Sequence, residues 1–473
     1  MFSWVKLAHL ANWADAKCVG EFSKDHTVRA ISTDTRSIEA GDVFVALRGE
    51  RFDGHDHTAD AAAKGAVAVI AERQTPAAIP HFVVKDSLRA FATIGARLRD
   101  RFQGKVVAVT GSAGKSSTKE MVAVFLGERV VKSPASFNNL LGVSKTLTLL
   151  EDDTEFLVLE MGMNAIGEIR EMCQYFRPQV GLITNIGDAH VGKLGSLRKV
   201  FEAKKEMFDF LASQETTLGV ALNKGHARVM EAYALAFSGK SVPTVSYCVG
   251  SDEDRADVRV LDVRIDPQTA KLNLKIQVRE ESLEASLPIF GQHHAENIAA
   301  AISVTQLFGV PLERVRERLL GIRPATHRGE IVPLDSGTVL IDESYNSNPT
   351  ALHSALESIS RLDPARRKLV ILGDMLELGE FESDYHRQVG EWLADLLAGH
   401  PLGFVAVGQR MALAADVLKK RRPKAEVTTA SDVQSALARL SEAHRPGDVV
   451  LVKSSRGGNL DKLVDAMRRD AAR

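Results

Sequence analysis

Short apolar runs recur along almost the whole chain, and segments with helical periodicity separate them. Runs of this kind, rich in β-branched residues, are typical of strands buried on both faces of a parallel sheet. The predicted strands are Ala66–Ile70, Val106–Val109, Phe156–Leu159, Gly181–Ile183, Leu369–Leu372, Phe404–Val407 and Val449–Val452. The predicted helices include Ser87–Phe102, Thr118–Leu126, Glu296–Phe308 and Ser383–Leu397. This alternation predicts an α/β fold with right-handed crossover connections.

Two seams in this pattern divide the chain. A predicted helix ends before Gly104, where a new strand begins, and another helix stops near Pro324 before a further strand and helix series. A chain of 473 residues is long enough for several domains of roughly 100–200 residues each. Alternating polar and apolar residues over Asp252–Leu287 predict an antiparallel meander. We therefore predict three domains, over residues 1–103, 104–323 and 324–473.

The composition excludes several classes of protein. Sixty basic and 61 acidic side chains give a net charge of −1, without the basic excess of proteins that coat nucleic acids or membrane surfaces. The basic run Lys419–Lys424 suits the solvated C-terminal end of a helix. No run of about 18 apolar residues occurs, so we expect no membrane span. Three cysteines without a CxxC pair argue against a disulfide framework or a zinc ribbon and favour the reducing cytoplasm.

A glycine-rich loop lies between a predicted strand and a predicted helix in the segment VVAVTGSAGKSSTKEMVAVFL, Val106–Leu126. Glycines allow backbone amides to turn toward an anion, and the start of the helix adds partial positive charge. Lys115 is placed to reach the β- and γ-phosphates of a nucleotide, and the Ser116 hydroxyl to ligate Mg²⁺. Only two residues separate Gly111 from Gly114, where the general phosphate loop has four. An ordinary turn is the alternative, but the order of strand, loop and helix favours an ATP or GTP site.

Polar residues also end the next two predicted strands. Glu160 follows Phe156–Leu159 directly, and a carboxylate near a phosphate loop is suited to holding Mg²⁺. His190 follows the strand that ends at Ile183 and is a second candidate ligand. Lys204 lies in a predicted amphipathic helix, and the composition of that helix alone favours a lysine exposed to solvent.

The N-terminal third contains a charged, glycine-rich segment, Ser32–His57, around a predicted strand at Val43–Leu47. Arginine beside aspartate and glycine suits the binding of a phosphorylated ligand, whereas a surface turn held by ion pairs is the alternative. The candidate residues for this ligand are Asp34, Arg36, Arg51 and Asp53.

Three polar segments follow strands in the last third of the chain, at Asp342–Pro349, Gly373–Gly379 and Lys453–Gly458. Because the carboxyl ends of parallel strands meet at one edge of a sheet, we expect these segments to form a second binding surface. Its candidate substrate-binding residues are Tyr345, Asn346 and Asn348.

Taken together, these motifs resemble the Mur ligase family over essentially the whole chain. The resemblance depends on TGSAGKSS, on Glu160, on DAHVGKLGS followed by EAKKEMF, and on GQHHAEN, which occur in the family's order. IDESYNSNP and ILGDMLELGE are similar to the member that adds D-alanyl-D-alanine, whereas the DYAHTP-like and DNPR-type motifs of the member that adds the third residue are missing.

The resemblance implies a small N-terminal α/β domain that holds a UDP-sugar, a central phosphate-loop ATPase with a parallel sheet, and a Rossmann-like C-terminal domain. It implies an ATP-dependent ligase, acting as a cytoplasmic monomer in peptidoglycan synthesis. Such an enzyme joins D-alanyl-D-alanine to UDP-N-acetylmuramoyl-tripeptide through an acyl phosphate. A sibling Mur or folylpolyglutamate-type ligase with another amino-acid donor is one alternative, and an ATP-binding switch that ligates nothing is the other.

The resemblance also assigns residues. Lys115, Lys204 and His190 would be catalytic, with Lys204 carbamylated by CO₂, and two Mg²⁺ ions would be held by Ser116, Glu160, His190 and Lys204. The expected ATP-binding residues are Gly111, Ser112, Ala113, Gly114, Lys115, Ser116, Ser117, Asn297, Arg328 and Glu343. The expected substrate-binding residues add Asn138 and Asn139 to those of the N-terminal and C-terminal segments. Ser116, Glu343 and His294 depart from the family's more frequent threonine, aspartate and asparagine.

Overall fold

The computed structural model describes residues 2–49, 52–187, 191–250, 256–334 and 336–471, and three sheets form within them. The sheets follow one another along the chain and carry helices on their faces, which confirms the predicted α/β fold. Each strand predicted from an apolar run is present, and the strands at the centres of the sheets are fully buried.

The N-terminal sheet has the strand order β1-β5-β4-β3-β2, and it is parallel except for β1. Its strands are β1 Lys17–Val19, β2 Ile31–Ser32, β3 Val43–Val45, β4 Ala68–Ala71 and β5 His81–Val83. Its helices are α1 Leu7–Trp13, α2 Thr58–Ala63 and α3 Ser87–Arg101. The strand predicted at Val43–Leu47 therefore ends two residues earlier than the sequence pattern indicated.

The central sheet has the order β14-β13-β12-β11-β10-β9-β6-β8-β7. Its strands are β6 Lys105–Thr110, β7 Val130–Lys132, β8 Phe156–Glu160, β9 Val180–Ile183, β10 Gly219–Asn223, β11 Thr244–Val249, β12 Val258–Ile265, β13 Leu272–Val278 and β14 Glu281–Leu287. The expectation of a parallel sheet is correct for β6 to β12, whereas β13 and β14 run antiparallel. These last strands are the predicted meander, which extends the same sheet because β12 pairs with β11.

Helices of the central region cover both faces of this sheet. They are α4 Lys115–Leu126, α5 Leu140–Leu147, α6 Glu168–Phe176, α7 Val191–Leu194, α8 Leu197–Ala212, α9 Ala227–Ala236, α10 His293–Leu307 and α11 Leu312–Leu319. Helix α4 begins at Lys115, directly after the phosphate loop, and α10 packs against α4 and against β10 and β11. The long apolar helix α10 thereby helps to fix the position of the phosphate-loop helix.

The C-terminal sheet has the order β15-β16-β20-β17-β18-β19 and is parallel except for β15. Its strands are β15 Glu330–Pro333, β16 Val339–Glu343, β17 Lys368–Gly373, β18 Leu402–Val407, β19 Glu426–Ala430 and β20 Val449–Lys453. Its helices are α12 Pro349–Ser360, α13 Glu382–Leu396, α14 Ala412–Arg421, α15 Val433–Ala443 and α16 Asp461–Ala471. Because β16, β20 and β17 are neighbours, the three polar segments that follow them lie side by side, as predicted.

The two junctions between the sheets differ in character. On the N-terminal side, α3 packs on α5 and α6, and the Arg99 guanidinium donates to the carbonyls of Phe176 and Arg177 at 3.0 and 3.2 Å. On the C-terminal side, Phe290 N donates to Gly329 O at 2.8 Å, and Lys193 Nζ lies 2.8 Å from Glu377 Oε1. The second junction encloses a cavity.

Two further expectations concern the surface. Lys419, Lys420 and Arg421 form the last turn of α14, so the basic run ends a helix as predicted. Within the described residues, the helices lack the length and apolar character needed to cross a membrane.

Candidate active site between the central and C-terminal sheets

A cavity of about 530 Å³ lies between the carboxyl edges of the central and C-terminal sheets. The phosphate loop forms its floor, the loop 133–138 and Glu160 form one wall, and the ends of β16, β17 and β20 form the other. Two of the regions singled out in the sequence, the phosphate loop and the C-terminal polar segments, therefore face the same space.

The phosphate loop is held in shape by the segment that follows β9. Ser112 N donates to Asn185 O at 3.0 Å, and Ala113 N donates to the Asn185 side-chain oxygen at 2.9 Å. Gly111 has a φ of +151°, and a Cβ there would lie 1.9 Å from Thr184 Oγ1. A side chain at Gly111 is therefore excluded both by backbone conformation and by contact.

Lys115 is partly buried and lines the cavity, and it has no carboxylate within ion-pair distance among the described residues. Its Nζ donates to Gly111 O at 2.7 Å and to Ser112 O at 3.5 Å. Burial lowers the pKa of Lys115; the charge of Glu160 raises it, and that of Arg328 lowers it further. A partly buried cation that has only carbonyls as hydrogen-bond partners is placed to receive an anion such as a nucleotide phosphate.

Glu160 ends β8 and is almost completely buried. Its Oε1 accepts a hydrogen bond from Asn138 Nδ2 at 3.0 Å, whereas its Oε2 accepts none from the described residues. The buried Ser116 hydroxyl lines the same cavity. A carboxylate oxygen that lacks a hydrogen bond, together with a hydroxyl, is the hard oxygen donor set that Mg²⁺ prefers, so these residues fit that ion.

Lys119 is a member of this site that the sequence reasoning missed. It is fully buried on α4, donates to Ala135 O, and its Nζ lies 3.5 Å from Glu160 Oε2. The signal was available, because Lys119 follows Lys115 by four residues and residues at this spacing share one face of a helix. The ammonium of Lys119 offsets part of the charge of the buried carboxylate.

Lys204 lies on α8 and is buried, so its interpretation as a solvated lysine is wrong. Val200 and Phe208, four residues before and after it, are buried too, and this spacing places Lys204 within the apolar stripe of the helix. No described residue accepts a hydrogen bond from its Nζ. Burial lowers the pKa of Lys204 well below its usual value, and the charge of Lys115 lowers it further. A lysine in this position is driven toward its neutral form.

Tyr345 links the two walls of the cavity. It follows β16 in the C-terminal region, and its hydroxyl donates to Ser136 Oγ of the central region at 2.6 Å. The guanidinium carbon of Arg328 lies 4.1 Å from the centre of the Tyr345 ring, and that of Arg456 lies 5.6 Å from it. The Tyr345 ring therefore contacts two guanidinium cations, and its hydroxyl joins the two walls through a hydrogen bond.

Glu343 and Lys453 form a buried ion pair at the ends of the neighbouring strands β16 and β20, with 2.7 Å between Oε2 and Nζ. Burial alone would raise the pKa of Glu343, but the charges of Lys453, His293 and Arg328 hold it below its usual value. Glu343 thus remains a carboxylate, and Lys453 is the cation that pairs with it.

Two histidines at the start of α10 lie behind this pair. The rings of His293 and His294 are 4.2 Å apart, and burial lowers the pKa of both, so that of His294 falls well below its usual value. Asn297, the expected adenine contact, accepts a hydrogen bond from the Thr118 hydroxyl at 3.1 Å and lies against Gly114 rather than in the cavity wall.

Several predicted site residues lie away from the cavity. Arg36 forms a 2.7 Å ion pair with Asp34 in the N-terminal region, and Asp53 accepts from the His55 ring nitrogen at 2.5 Å. Asn139 caps α5 by accepting from Gly142 N at 2.9 Å. Arg51 and His190 lie outside the described residues. Gly111, Asn297 and Lys204 lie behind the cavity lining, whereas the structure does bring together Ser112, Ala113, Gly114, Lys115, Ser116, Ser117, Asn138, Glu160, Arg328, Glu343, Tyr345, Asn346 and Asn348.

Comparison with known proteins identifies relatives across the length of the chain. The models of the Mur ligase family catalytic domain, the Mur ligase middle domain and the Mur ligase glutamate ligase domain match residues 27–124, 109–305 and 327–456. A UDP-N-acetylmuramoyl-tripeptide–D-alanyl-D-alanine ligase of Synechocystis sp. is 32% identical over 461 residues, which cover 95% of this chain and 94% of that one. The chain belongs to the Mur ligase family.

Further comparisons agree with this membership. A UDP-N-acetylmuramoyl-tripeptide–D-alanyl-D-alanine ligase of Bacillus subtilis is 31% identical over 444 residues, which cover 92% of each protein. The crystal structure of MurF from Acinetobacter baumannii superposes on this Mur ligase with a TM-score of 0.82 at 28% identity, covering 98% of both chains. The family resemblance and the three-part α/β architecture predicted from the sequence are thereby confirmed.

Proposed function

We propose that this Mur ligase uses ATP to join D-alanyl-D-alanine to UDP-N-acetylmuramoyl-tripeptide, which yields the pentapeptide precursor of peptidoglycan. The observation that carries the proposal is the shared cavity: the phosphate loop and the polar C-terminal edge face one another across it. A phosphate donor and an amine donor can therefore meet there. The names of the relatives that match more than nine-tenths of the chain support the choice of substrates.

In the proposed reaction, a carboxylate oxygen of the tripeptide attacks the γ-phosphorus of ATP, and ADP leaves. The amine of the dipeptide then attacks the carbonyl carbon of the acyl phosphate, loses a proton, and inorganic phosphate departs as the amide forms. The first step brings two anions together. Lys115 and Arg328, which no described carboxylate neutralises, are placed to offset that repulsion.

The proposal includes Mg²⁺ held by Ser116 and Glu160, whose oxygen atoms fit that ion. When bound, the ion neutralises phosphate charge and orients the phosphoryl group. A second Mg²⁺ site would involve His190 and Lys204. Asn138 holds Oε1 of Glu160 through a hydrogen bond and leaves the other carboxylate oxygen available.

We further propose that Lys204 is carbamylated. A neutral amine adds to CO₂ and releases one proton, which leaves a negatively charged carbamate on Nζ. Burial and the charge of Lys115 favour the neutral amine that this reaction needs. The carbamate carries a negative charge, which the positive charge of Lys115 attracts.

The remaining assignments are parts of the same proposal. The domains end at residues 103 and 323, the UDP-sugar binds near Asp34, Arg36, Arg51 and Asp53, and Asn139 lies beside the substrate. The exposed guanidinium of Arg36 supports a role in phosphate binding. We place the enzyme in the cytoplasm as a monomer, because one chain supplies both walls of the cavity.

The proposal is tested by measuring phosphate and ADP release with a panel of acceptors and amine donors. We expect product only when UDP-N-acetylmuramoyl-tripeptide, D-alanyl-D-alanine and ATP are all present, and hydroxylamine should trap the activated acyl group. Preference for another amino acid, or for a folate acceptor, would identify a sibling ligase. ATP hydrolysis that does not respond to either substrate would identify an ATP-binding switch.

A further inference from the structure

Each described carboxylate that lines the cavity has a lysine within ion-pair distance. Lys119 lies 3.5 Å from Glu160, Lys453 lies 2.7 Å from Glu343, and Lys193 lies 2.8 Å from Glu377. By contrast, Lys115, Arg328 and Arg456 have no carboxylate of the described chain within ion-pair distance. The cavity therefore presents an excess of cations, and these cations call for anionic ligands.

Two of these cations belong to the phosphate-loop end of the cavity. Lys115 is the first residue of α4 directly after the phosphate loop, and Arg328 lines the same cavity and contributes to lowering the pKa of Lys115. Arg456 lies in the polar segment that follows β20, and its guanidinium carbon is 5.6 Å from the centre of the Tyr345 ring. Once the nucleotide phosphates are assigned to Lys115 and Arg328, Arg456 is left for a different anion.

The surroundings of Arg456 suit a small peptide. Ser455 beside it accepts a hydrogen bond from Leu376 N at 3.0 Å and donates one to Ser347 O at 3.2 Å, so the three C-terminal loops are tied together at this point. Leu376 is 38% exposed and lies beside Gly457. An apolar side chain next to a guanidinium matches the methyl groups and the terminal carboxylate of an alanyl dipeptide.

We propose that Arg456 binds the carboxylate of the incoming dipeptide and thereby orients its amine toward the acyl phosphate. This inference rests on the proposed function, in which that carboxylate is the charge that the dipeptide retains through the reaction. The planar guanidinium would donate two parallel hydrogen bonds to the carboxylate, and the Tyr345 ring, whose centre lies 5.6 Å from the guanidinium carbon, would favour one orientation.

The test compares Arg456→Ala and Arg456→Lys with the wild-type enzyme on D-alanyl-D-alanine and on its C-terminal amide, which lacks the negative charge. We expect Arg456→Ala to raise the KM for the dipeptide by roughly 10- to 100-fold, with little change in kcat or in the KM values for ATP and UDP-N-acetylmuramoyl-tripeptide. The wild-type enzyme should discriminate against the amide by a similar factor, and Arg456→Ala should not. Arg456→Lys should restore part of the loss, because it returns the charge without the fork.

Arg421→Ala is the matched control, since Arg421 is an exposed arginine on α14 that pairs with Asp395 away from the cavity. An unchanged dipeptide KM in Arg456→Ala, or a rise in the KM for ATP or the tripeptide instead, would overturn the inference alone. If the wild-type enzyme forms no product with D-alanyl-D-alanine, the proposed function fails and this inference fails with it.

Discussion

The charged loops of the N-terminal region differ from the cavity between the other two sheets in how their charged side chains are paired. In the N-terminal loops, Arg36 neutralises Asp34 and His55 contacts Asp53 within the same few residues. In the cavity, Lys115 and Arg456 have no such carboxylate among the described residues. In the first region the charged side chains are paired with one another. In the second region, cations remain that only a bound ligand would pair.

The direction of the pKa shifts expresses the same contrast. A hydrogen bond from Arg36 lowers the pKa of Asp34, and one from the His55 backbone lowers that of Asp53, so both keep their charge. Burial lowers the pKa of Lys115 and Lys204, because desolvation disfavours the charged ammonium. Solvated loops pair their charges at little cost, but a buried cation destabilises the free protein until an anion arrives.

The largest effect should come from removing the unpaired ammonium at the phosphate loop. We expect Lys115→Ala to reduce ligation roughly 1,000-fold, because the charge that offsets phosphate repulsion is lost. Its melting temperature should hold or rise, since a partly buried charge without a carboxylate partner is removed. ADP release and thermal unfolding measure the two effects, and exposed Lys240→Ala is the control. Near-normal turnover would refute the assigned role.

Lys204→Ala should be next in size, with a loss of roughly 100-fold, since a buried group beside Lys115 is removed. Small carboxylates such as acetate should restore part of the activity by replacing the carbamate. Lys205→Ala is the matched control, because this neighbour on α8 pairs with Asp209 instead. A variant that stays active and indifferent to CO₂ would contradict carbamylation.

The hydrogen bond between Tyr345 and Ser136 offers a smaller test of how the cavity walls are joined. We expect Tyr345→Phe and Ser136→Ala each to lower kcat/KM about tenfold, and the double variant to be little worse than either. Tyr233→Phe, which alters a hydroxyl near Thr244 on the central sheet, serves as the control. Fully additive losses would show that the two hydroxyls act independently.

Arg36→Ala tests the ion pairs in the charged loops of the N-terminal region. Because Arg36 is 88% exposed and its partner lies in the same loop, we expect no resolvable change in the melting temperature. If the loop binds the UDP-sugar, the KM for UDP-N-acetylmuramoyl-tripeptide should rise roughly fivefold. Arg264→Ala, which removes a similar exposed pair with Asp262, should change neither quantity. An unchanged KM would leave the N-terminal pairs with a structural role only.

The smallest effect concerns pH. Burial holds the pKa of His294 well below the value of about 6.5 that it has in the unfolded chain. Its contribution to stability is therefore complete above about pH 6.5 and is lost as the pH falls toward the folded pKa. Urea unfolding near pH 7.5 and pH 5.5 should show less acid loss in His294→Asn than in the wild type or in His353→Asn. Equal losses would mean that His294 is protonated in the folded protein.

Much of the fold was predictable because apolar runs and amphipathic segments are local patterns. Strands β6, β8 and β17 lie where the sequence predicts them. The glycines of the phosphate loop have the positive φ angles that favour glycine. The sequence predicted only that the polar segments after β16, β17 and β20 meet at one edge of a parallel sheet. The pairing of these strands, which are far apart along the chain, confirms that prediction. The functional roles of the site residues stay predictions.

The sequence by itself determined the strand, loop and helix unit that ends in Lys115, because helix and strand periodicity and glycine chemistry act over a few residues. Only the tertiary structure decided that Lys204 is buried, that Lys119 lies beside Glu160, and that Arg456 reaches the cavity without a carboxylate partner among the described residues. Burial and charge pairing depend on elements that are far apart along the chain. The physical reason is that desolvation and Coulomb interactions are set by distance in space, which periodicity along the chain does not encode.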